Sequence, residues 1–239
     1  MKATVVLLRG HDCWFGARVS QMVRLAGARV VQVGSATRAT EEQLTAALDP
    51  QVTAAVYLVS HHMAQTGMIP LPTFVAACKR AQVPVIVDAA GTVDPLPYVR
   101  AGADIVLMSA HKNFEGLTAG IVLGRRDLVA ACLLQERGIG RAMKVGKEGI
   151  MGVVAGLERW TGRKQAQIEI EWGARVLQLC ECLSGVSGLS VEKETDPPEN
   201  RIPRARVSVA GKRSGTTARQ LAAVLRDGKP SVRVWEAGA

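Results

Sequence analysis

The chain has 239 residues, of which 48% are hydrophobic and 21% are charged, and this composition is ordinary for a globular protein with a large buried core. No apolar run reaches the roughly 18 residues that a membrane helix needs. The N-terminal MKATVVLLRGHD lacks the length and the cleavage site of a signal peptide, so we predict a soluble, cytoplasmic protein.

The net charge of +9 is distributed unevenly along the chain. Residues 1–120 carry 10 Lys and Arg against 8 Asp and Glu (+2), whereas residues 121–239 carry 20 against 13 (+7). The basic second half can attract phosphate, an anionic substrate or RNA, but an aromatic content of 4% offers no base-stacking platform. The five cysteines, an odd number without paired metal spacing, indicate reduced structural thiols.

Apolar, β-branched runs alternate with helical patterns in the first half, which predicts an α/β fold with a mostly parallel, doubly wound sheet. The predicted strands are TVVLL (4–8), RVVQV (29–33), AAVYLV (54–59), PVIVDA (84–89), DIVLM (104–108) and AGIVLG (119–124). Helices are predicted at ARVSQMVRLAG, TEEQLTAALD and LPTFVAACKRAQ. The last two strands are separated by too few residues for a parallel crossover, so the last strand is predicted to be antiparallel.

The second half has a different pattern. RRDLVAACLLQERG predicts a helix, and GIGRAMKVGKEG (138–149) follows it as a glycine-rich segment that we call the basic connector. A long helical pattern runs from Lys147 to about Leu183, ETDPPENRIPR is predicted to be a loop, and ARVSVAG, TTARQLAAVLRDG and SVRVWEA are predicted to be strand, helix and strand. We therefore predict a large domain (1–146), a connecting helix (147–183) and a small C-terminal α/β domain (184–239).

Polar residues cluster just after the predicted strands, where parallel sheets bind their ligands. All four histidines lie there, at His11, His61, His62 and His111. A metal site formed by His61, His62 and Asp88 is disfavoured because the adjacent histidines are poorly spaced for joint ligation. No P-loop is present and no GxGxxG follows the first strand, which argues against the common nucleotide-binding folds.

Asp88 and Lys112, at the ends of neighbouring predicted strands, carry a more specific signal. Pyridoxal phosphate needs a lysine that forms a Schiff base and a carboxylate that keeps its ring nitrogen protonated. The amine must be partly desolvated to act as nucleophile and base, and an apolar strand end is expected to provide that setting. Ser109, three residues before the lysine, can donate a hydrogen bond to the cofactor phosphate.

Several segments then resemble a known family. SAHKNFEGLTAG (109–120) resembles the lysine segment of fold-type-I pyridoxal-phosphate enzymes. RGHDCWFGA, SHHMAQTGM, VDAAGTVD and GIGRAMKVGKEGIMG are similar to the D-glucosaminate-6-phosphate ammonia lyase branch of the seryl-tRNA(Sec) selenium transferase family. The resemblance extends from about residue 3 to residue 235. It implies the fold-type-I large domain and a chain that begins inside it, without the family's N-terminal strand and phosphate-cradling loop.

The resemblance also implies roles for individual residues. Lys112 is expected to be the catalytic, cofactor-bonded lysine, and Asp88 the partner of the pyridine nitrogen. The other cofactor-binding residues implied are His11 against the ring, His62 or Gln65 near the phenolic oxygen, and Ser109 and His111 flanking the phosphate and the lysine. An anionic substrate is expected to meet Arg141, Lys144 and Lys147 of the basic connector.

The function implied is that of an ammonia lyase. A β-hydroxy amino acid such as D-glucosaminate 6-phosphate is expected to lose its α-proton to Lys112 and its β-hydroxyl, and to yield a 2-keto-3-deoxy sugar acid phosphate and ammonia. Two alternatives stay open: a seryl-tRNA(Sec) selenium transferase-like enzyme, and a non-catalytic fragment of such an enzyme. The resemblance also implies a homodimer or larger assembly. From composition and spacing we expect no nucleic acid, membrane or metal partner.

Overall fold

A computed structural model describes residues 3–60, 66–195, 202–210 and 215–236 of the chain. These residues form two compact units, of which the first ends at Arg163 and the second begins at Lys164. None of the helices in the described ranges is long and apolar enough to cross a lipid bilayer.

The first unit contains a six-stranded sheet of order β2-β1-β3-β4-β5-β6. Its strands are β1 (Thr4–Leu8), β2 (Arg29–Val33), β3 (Val52–Leu58), β4 (Val85–Asp88), β5 (Ile105–Ser109) and β6 (Gly120–Gly124). The first five run parallel, and β6 pairs antiparallel with β5, from Ile105 opposite Gly124 to Ser109 opposite Gly120. The predicted strands and the antiparallel last strand are confirmed.

Helices cover both faces of this sheet. They are α1 (Val19–Leu25), α2 (Glu41–Ala47), α3 (Leu71–Arg80), α4 (Leu96–Ala101), α5 (Arg126–Leu134) and α6 (Lys147–Thr161). Successive side chains of a strand point to opposite faces of the sheet, so β1 contributes to two hydrophobic clusters. Val6 and Leu8 pack in one cluster with Leu44 and Phe74. Val5 and Leu7 belong to the second cluster, on the other face. The capping box between Thr40 and Gln43 explains why α2 begins where the sequence predicts it. The short helix α4 was not predicted.

The second unit contains α7 (Gln165–Ser184), β7 (Leu189–Thr195), β8 (Pro203–Val209) and α8 (Ala218–Asp227). The strands β7 and β8 form an antiparallel pair, and α7 packs against both. The predicted strand at SVRVWEA is wrong, because described residues 231–236 have no regular structure. The predicted three-part division at 146 and 183 stays a prediction.

The long helical pattern predicted from Lys147 to about Leu183 is two helices in the structure. The first ends at Thr161 and the second begins at Gln165. Gly162 caps the first helix, with its N–H bonded to the Glu158 carbonyl, so the apolar period continues across a break that periodicity alone does not reveal.

Candidate active site

The carboxyl ends of β1, β3, β4 and β5 meet at one edge of the sheet, and the predicted site residues follow these strands. Asp88 is the last residue of β4, opposite Leu58 of β3 and Leu107 of β5. The Val59 N–H donates to the Asp88 carbonyl (2.8 Å), and the Ala89 N–H donates to the Leu107 carbonyl (2.9 Å). The sheet ladder therefore continues past Asp88 and holds its backbone on both sides.

The carboxylate of Asp88 is partly buried and accepts a hydrogen bond from the Ala90 N–H (3.1 Å). Burial raises the pKa of Asp88 above its ordinary value, while the Ala90 N–H and the positive charge of Lys112 act in the opposite direction. Asp88 is thus a desolvated acid within electrostatic reach of Lys112, and such an acid is suited to pair with a cationic partner at this edge.

Lys112 lies in the segment that joins β5 to β6, residues 110–119, which we call the lysine loop. Its side chain is exposed and makes no hydrogen bond or ion pair with residues that the structure describes. The expectation that the strand end by itself desolvates the amine is wrong, because the loop carries Lys112 three residues beyond the last strand residue. Beside it, Ser109 Oγ lies 3.1 Å from Nδ1 of the exposed His111.

His11 ends the short 3₁₀ turn that follows β1 and is completely buried. The Leu58 N–H donates to His11 Nδ1 (3.2 Å), and the imidazole packs edge-to-face on Tyr57 with ring centroids 4.6 Å apart. Leu58 is the register partner of Asp88, so the structure places His11 two strands from the carboxylate at the same edge. Its contact with a cofactor ring stays a prediction, and His62 and Gln65 lie outside the described residues.

The basic connector carries the three predicted substrate-binding residues, and all of them are exposed. Arg141 lies in a 3₁₀ turn (Ile139–Met143), Lys144 follows that turn, and Lys147 is the first residue of α6. Among the described residues, no hydrogen bond or ion pair joins them to Asp88 or Lys112. Their predicted role in substrate binding is therefore supported only by their exposed positive charges.

Sequence reasoning missed the residues that surround the lysine loop. Asn113 Nδ2 donates to the carbonyls of Gly91 (3.2 Å) and Thr92 (2.8 Å), which belong to the turn after Asp88. Arg163 Nη1 donates to the Asn113 carbonyl (2.9 Å) from 50 positions away. A neighbouring amide and a distant arginine have no characteristic spacing in the sequence, so no pattern indicated them.

The Aminotransferase class-V family model matches residues 5–145. The chain is 38% identical over 232 residues to D-glucosaminate-6-phosphate ammonia lyase of Salmonella typhimurium (strain 14028s / SGSC 2262), covering 97% of this chain and 62% of that protein. The solved structure titled "Structure of D-Glucosaminate-6-phosphate Ammonia-lyase" is 37% identical with a TM-score of 0.76, again covering 97% of this chain and 62% of that chain. The predicted resemblance to this branch and the predicted large-domain fold are confirmed.

Two further relatives have other activities. The 5'-C-glycyluridine monooxygenase-decarboxylase of Streptomyces sp is 36% identical over 230 residues, covering 95% of this chain and 58% of that protein. An L-seryl-tRNA(Sec) selenium transferase of Desulfovibrio desulfuricans (strain ATCC 27774 / DSM 6949 / MB) is 28% identical, covering 70% of this chain and 38% of that protein. The chain therefore spans about 60% or less of the length of these relatives. The matched model covers more than half of the chain and includes Asp88 and Lys112, and the chain belongs to the aminotransferase class-V family.

Proposed function

We propose that this chain carries the catalytic lysine of a pyridoxal-phosphate-dependent ammonia lyase acting on a β-hydroxy amino acid such as D-glucosaminate 6-phosphate. One observation carries the proposal: Asp88 and Lys112 follow neighbouring parallel strands, and the charge of Lys112 reaches the partly buried carboxylate of Asp88. The similarity to the Salmonella ammonia lyase supports the choice of reaction.

The residues present fit the cofactor that the family implies. A desolvated carboxylate at the end of one strand and an exposed primary amine in the loop after the neighbouring strand are the two groups that pyridoxal phosphate requires. Asp88 would hold the pyridine nitrogen, Lys112 would bond to the aldehyde carbon, and Ser109 and His111 would lie beside the lysine. When bound, the cofactor supplies an electron sink that acidifies the α-carbon of an amino acid.

The chain's own groups account for the proton transfer. The exposed amine of Lys112 can take the α-proton of the substrate, after which the β-hydroxyl leaves with a proton as water. Hydrolysis of the resulting enamine consumes one water and releases a 2-keto acid and ammonia, so the reaction needs no oxidant or reductant.

The exposed charges of the basic connector support an anionic substrate. Arg141, Lys144 and Lys147 have no carboxylate partner among the described residues, so they can pair with a phosphate or carboxylate group. A homodimeric or larger assembly and a cytoplasmic location are further parts of this proposal.

The first experiment tests the lysine. The chain is titrated with pyridoxal phosphate, the cofactor–lysine bond is fixed with borohydride, and the modified residue is located by peptide mass spectrometry. We expect the added mass on Lys112 in the wild-type chain and no specific modification in Lys112→Ala. Modification of other lysines to the same extent in both proteins would overturn the assignment.

The second experiment separates the rival activities. Release of a 2-keto acid and ammonia from D-glucosaminate 6-phosphate without oxygen uptake supports the lyase. Oxygen-dependent loss of carbon dioxide from 5'-C-glycyluridine would instead favour the activity of the Streptomyces relative. Retention of seryl-tRNA at low salt would favour the selenium transferase alternative, and cofactor capture without turnover of any of these substrates would favour a non-catalytic fragment.

A further inference from the structure

The side chain of Lys112 makes no hydrogen bond or ion pair with the described residues, so the backbone that carries it is the main determinant of its position. We infer that Asn113 and Arg163, which we call the clamp, are positioning residues that hold the lysine loop against the turn following Asp88. This inference rests on the proposed function, because it concerns the approach of Lys112 to a cofactor aldehyde.

Asn113 forms the inner part of the clamp. Its side-chain amide donates both of its hydrogens, to the Gly91 carbonyl (3.2 Å) and to the Thr92 carbonyl (2.8 Å). The first accepting residue, Gly91, lies three residues after Asp88, and the residue that donates both bonds immediately follows Lys112. One side chain therefore fixes the separation between the segments that carry the carboxylate and the amine.

Arg163 forms the outer part of the clamp. Its Nη1 donates to the Asn113 carbonyl (2.9 Å), and its Nη2 pairs with a carboxylate oxygen of Glu115. The side chain of Arg163 is only 23% exposed, whereas Arg159, which pairs with the other Glu115 oxygen at 3.0 Å, is 72% exposed. The planar guanidinium can make both contacts at once, and a lysine in its place cannot reproduce that fork.

The backbone of the lysine loop has a conformation that needs such support. Glu115 has a φ of 53°, in the left-handed region that is strained for a non-glycine residue. The Gly116 N–H then donates to the Ala110 carbonyl (2.8 Å), which closes the loop on itself. Arg163, which contacts both Glu115 and the Asn113 carbonyl, is placed to hold this backbone, whereas the exposed Arg159 contacts only Glu115.

Trp160 contacts both the turn that follows Asp88 and the lysine loop. Its Nε1 donates to the Val93 carbonyl (3.1 Å) in the turn that follows Asp88. Its ring packs edge-to-face on Phe114, with centroids 5.2 Å apart, and Phe114 is 2% exposed. The end of α6 therefore contacts the turn after β4 and the lysine loop together, and it presents Arg163 to the peptide next to Lys112.

The clamp is tested first on the full chain as purified. Amide hydrogen exchange is compared in segments 89–93 and 110–116 for wild type, Arg163→Gln, Arg163→Lys and Asn113→Asp. Arg159→Gln is the matched control, because it also loses an ion pair with Glu115 but has no bond to Asn113. We expect exchange in both segments to rise about tenfold in Arg163→Gln and Asn113→Asp, and to stay close to wild type in the control.

The second measurement uses pyridoxal phosphate and borohydride trapping, with peptide mass spectrometry of Lys112 against time and pH. We expect trapping at Lys112 to slow about tenfold in Arg163→Gln and Asn113→Asp, with partial recovery in Arg163→Lys, which keeps the charge but not the fork. The melting temperature of each variant is recorded alongside, because a merely structural role would move trapping only in proportion to unfolding.

The outcomes separate the two proposals. If wild type is not modified at Lys112, the proposed function fails, and the exchange data alone decide whether the clamp exists. If wild type is modified but the clamp variants show unchanged exchange and unchanged trapping, the clamp is refuted. Increased exchange with unchanged trapping would likewise overturn the positioning role. Asn113→Asp, which keeps the size of the side chain and removes its donors, decides the question should Arg163→Gln fail to fold.

Discussion

The lysine loop and the basic connector both carry predicted site residues, and they differ in how they are held. The lysine loop is bonded to itself, to the turn after Asp88 and to the end of α6. Among the described residues, the hydrogen bonds of the basic connector are local and join backbone groups a few residues apart. An example is the bond from the Arg141 N–H to the Gly138 carbonyl. Under the proposed function this difference is expected, because a lysine that bonds to a cofactor carbon needs fixed geometry, whereas charges that attract an anion need only exposure.

The largest expected effect is a difference in folding stability between alanine substitutions at two glycines, one that packs on the lysine loop and one in the basic connector. A Cβ on Gly156 of α6 would lie 2.6 Å from the Phe114 carbonyl oxygen and 3.0 Å from the Gly116 nitrogen, both of them backbone atoms of the lysine loop. A Cβ on Gly146 of the connector would meet only the far end of the Glu148 side chain, which can rotate away. We expect Gly156→Ala to lower the free energy of unfolding by roughly 1–3 kcal/mol. Gly146→Ala is expected to change it by less than about 0.5 kcal/mol.

Urea unfolding of both variants checks this prediction. Equal midpoints for Gly156→Ala and Gly146→Ala would mean that the close approach of α6 to the lysine loop does not contribute to stability. The lysine loop and the basic connector would then differ only in their hydrogen bonds.

The second prediction concerns Asp88, whose pKa is raised by burial. An acid with a higher pKa in the folded state than in the unfolded state destabilises the fold when it is ionised, and this cost disappears as the pH falls below its ordinary value of 3.8. Asp88→Asn keeps an oxygen for the Ala90 N–H and removes the charge. We expect a higher melting temperature than wild type at neutral pH, with a difference that vanishes at acid pH.

Differential scanning fluorimetry of the cofactor-free proteins across pH measures this difference. The same substitution is expected to weaken pyridoxal phosphate binding, so stability and cofactor affinity should change in opposite directions. A lower melting temperature for Asp88→Asn at neutral pH would contradict the inferred cost of burial.

The third prediction concerns the connector charges. Replacing Arg141, Lys144 and Lys147 together by glutamine should weaken binding of a phosphorylated sugar acid about tenfold and reduce its salt dependence, because exposed charges act through screened attraction. The unfolding midpoint should stay close to wild type, since the structure shows no ion pair of these residues to lose among the described residues. Calorimetry with 6-phosphogluconate, and with gluconate as the control, distinguishes phosphate recognition from general charge attraction.

The smallest expected effect is a difference in thiol reactivity between the buried helix α3, which packs on the sheet, and the exposed helix α5, which precedes the connector. Burial raises the pKa of Cys78 in α3 to about 12, with a further contribution from Asp104, whereas Cys132 of α5 is exposed. Iodoacetamide at neutral pH should modify Cys132 quickly and Cys78 only after unfolding. Comparable rates for both thiols would mean that α3 opens far more readily than its burial indicates.

The placement of Asp88 and Lys112 at one edge of the sheet could be predicted because its signal is local. Asp88 and Lys112 each follow an apolar run, and the parallel arrangement of such runs brings their ends to one edge. The exposure of Lys112 was not predicted, because ten residues of loop can carry a side chain away from the strand that precedes it. Strand β7 was missed because its sequence, LSVEKET, alternates too weakly to stand out beside the proline-rich segment that follows.

The sequence by itself determined the six strands of the first unit, the reversal of β6 and the adjacency of Asp88 and Lys112, since apolar periodicity and loop length are properties of neighbouring residues. Only the tertiary structure decided that Asn113 bridges two turns and that Arg163 reaches it from 50 positions away. It also decided that the long helical pattern is divided into the separate helices α6 and α7. These contacts depend on where separate segments meet once the core has packed, and that meeting leaves no periodic trace in the chain.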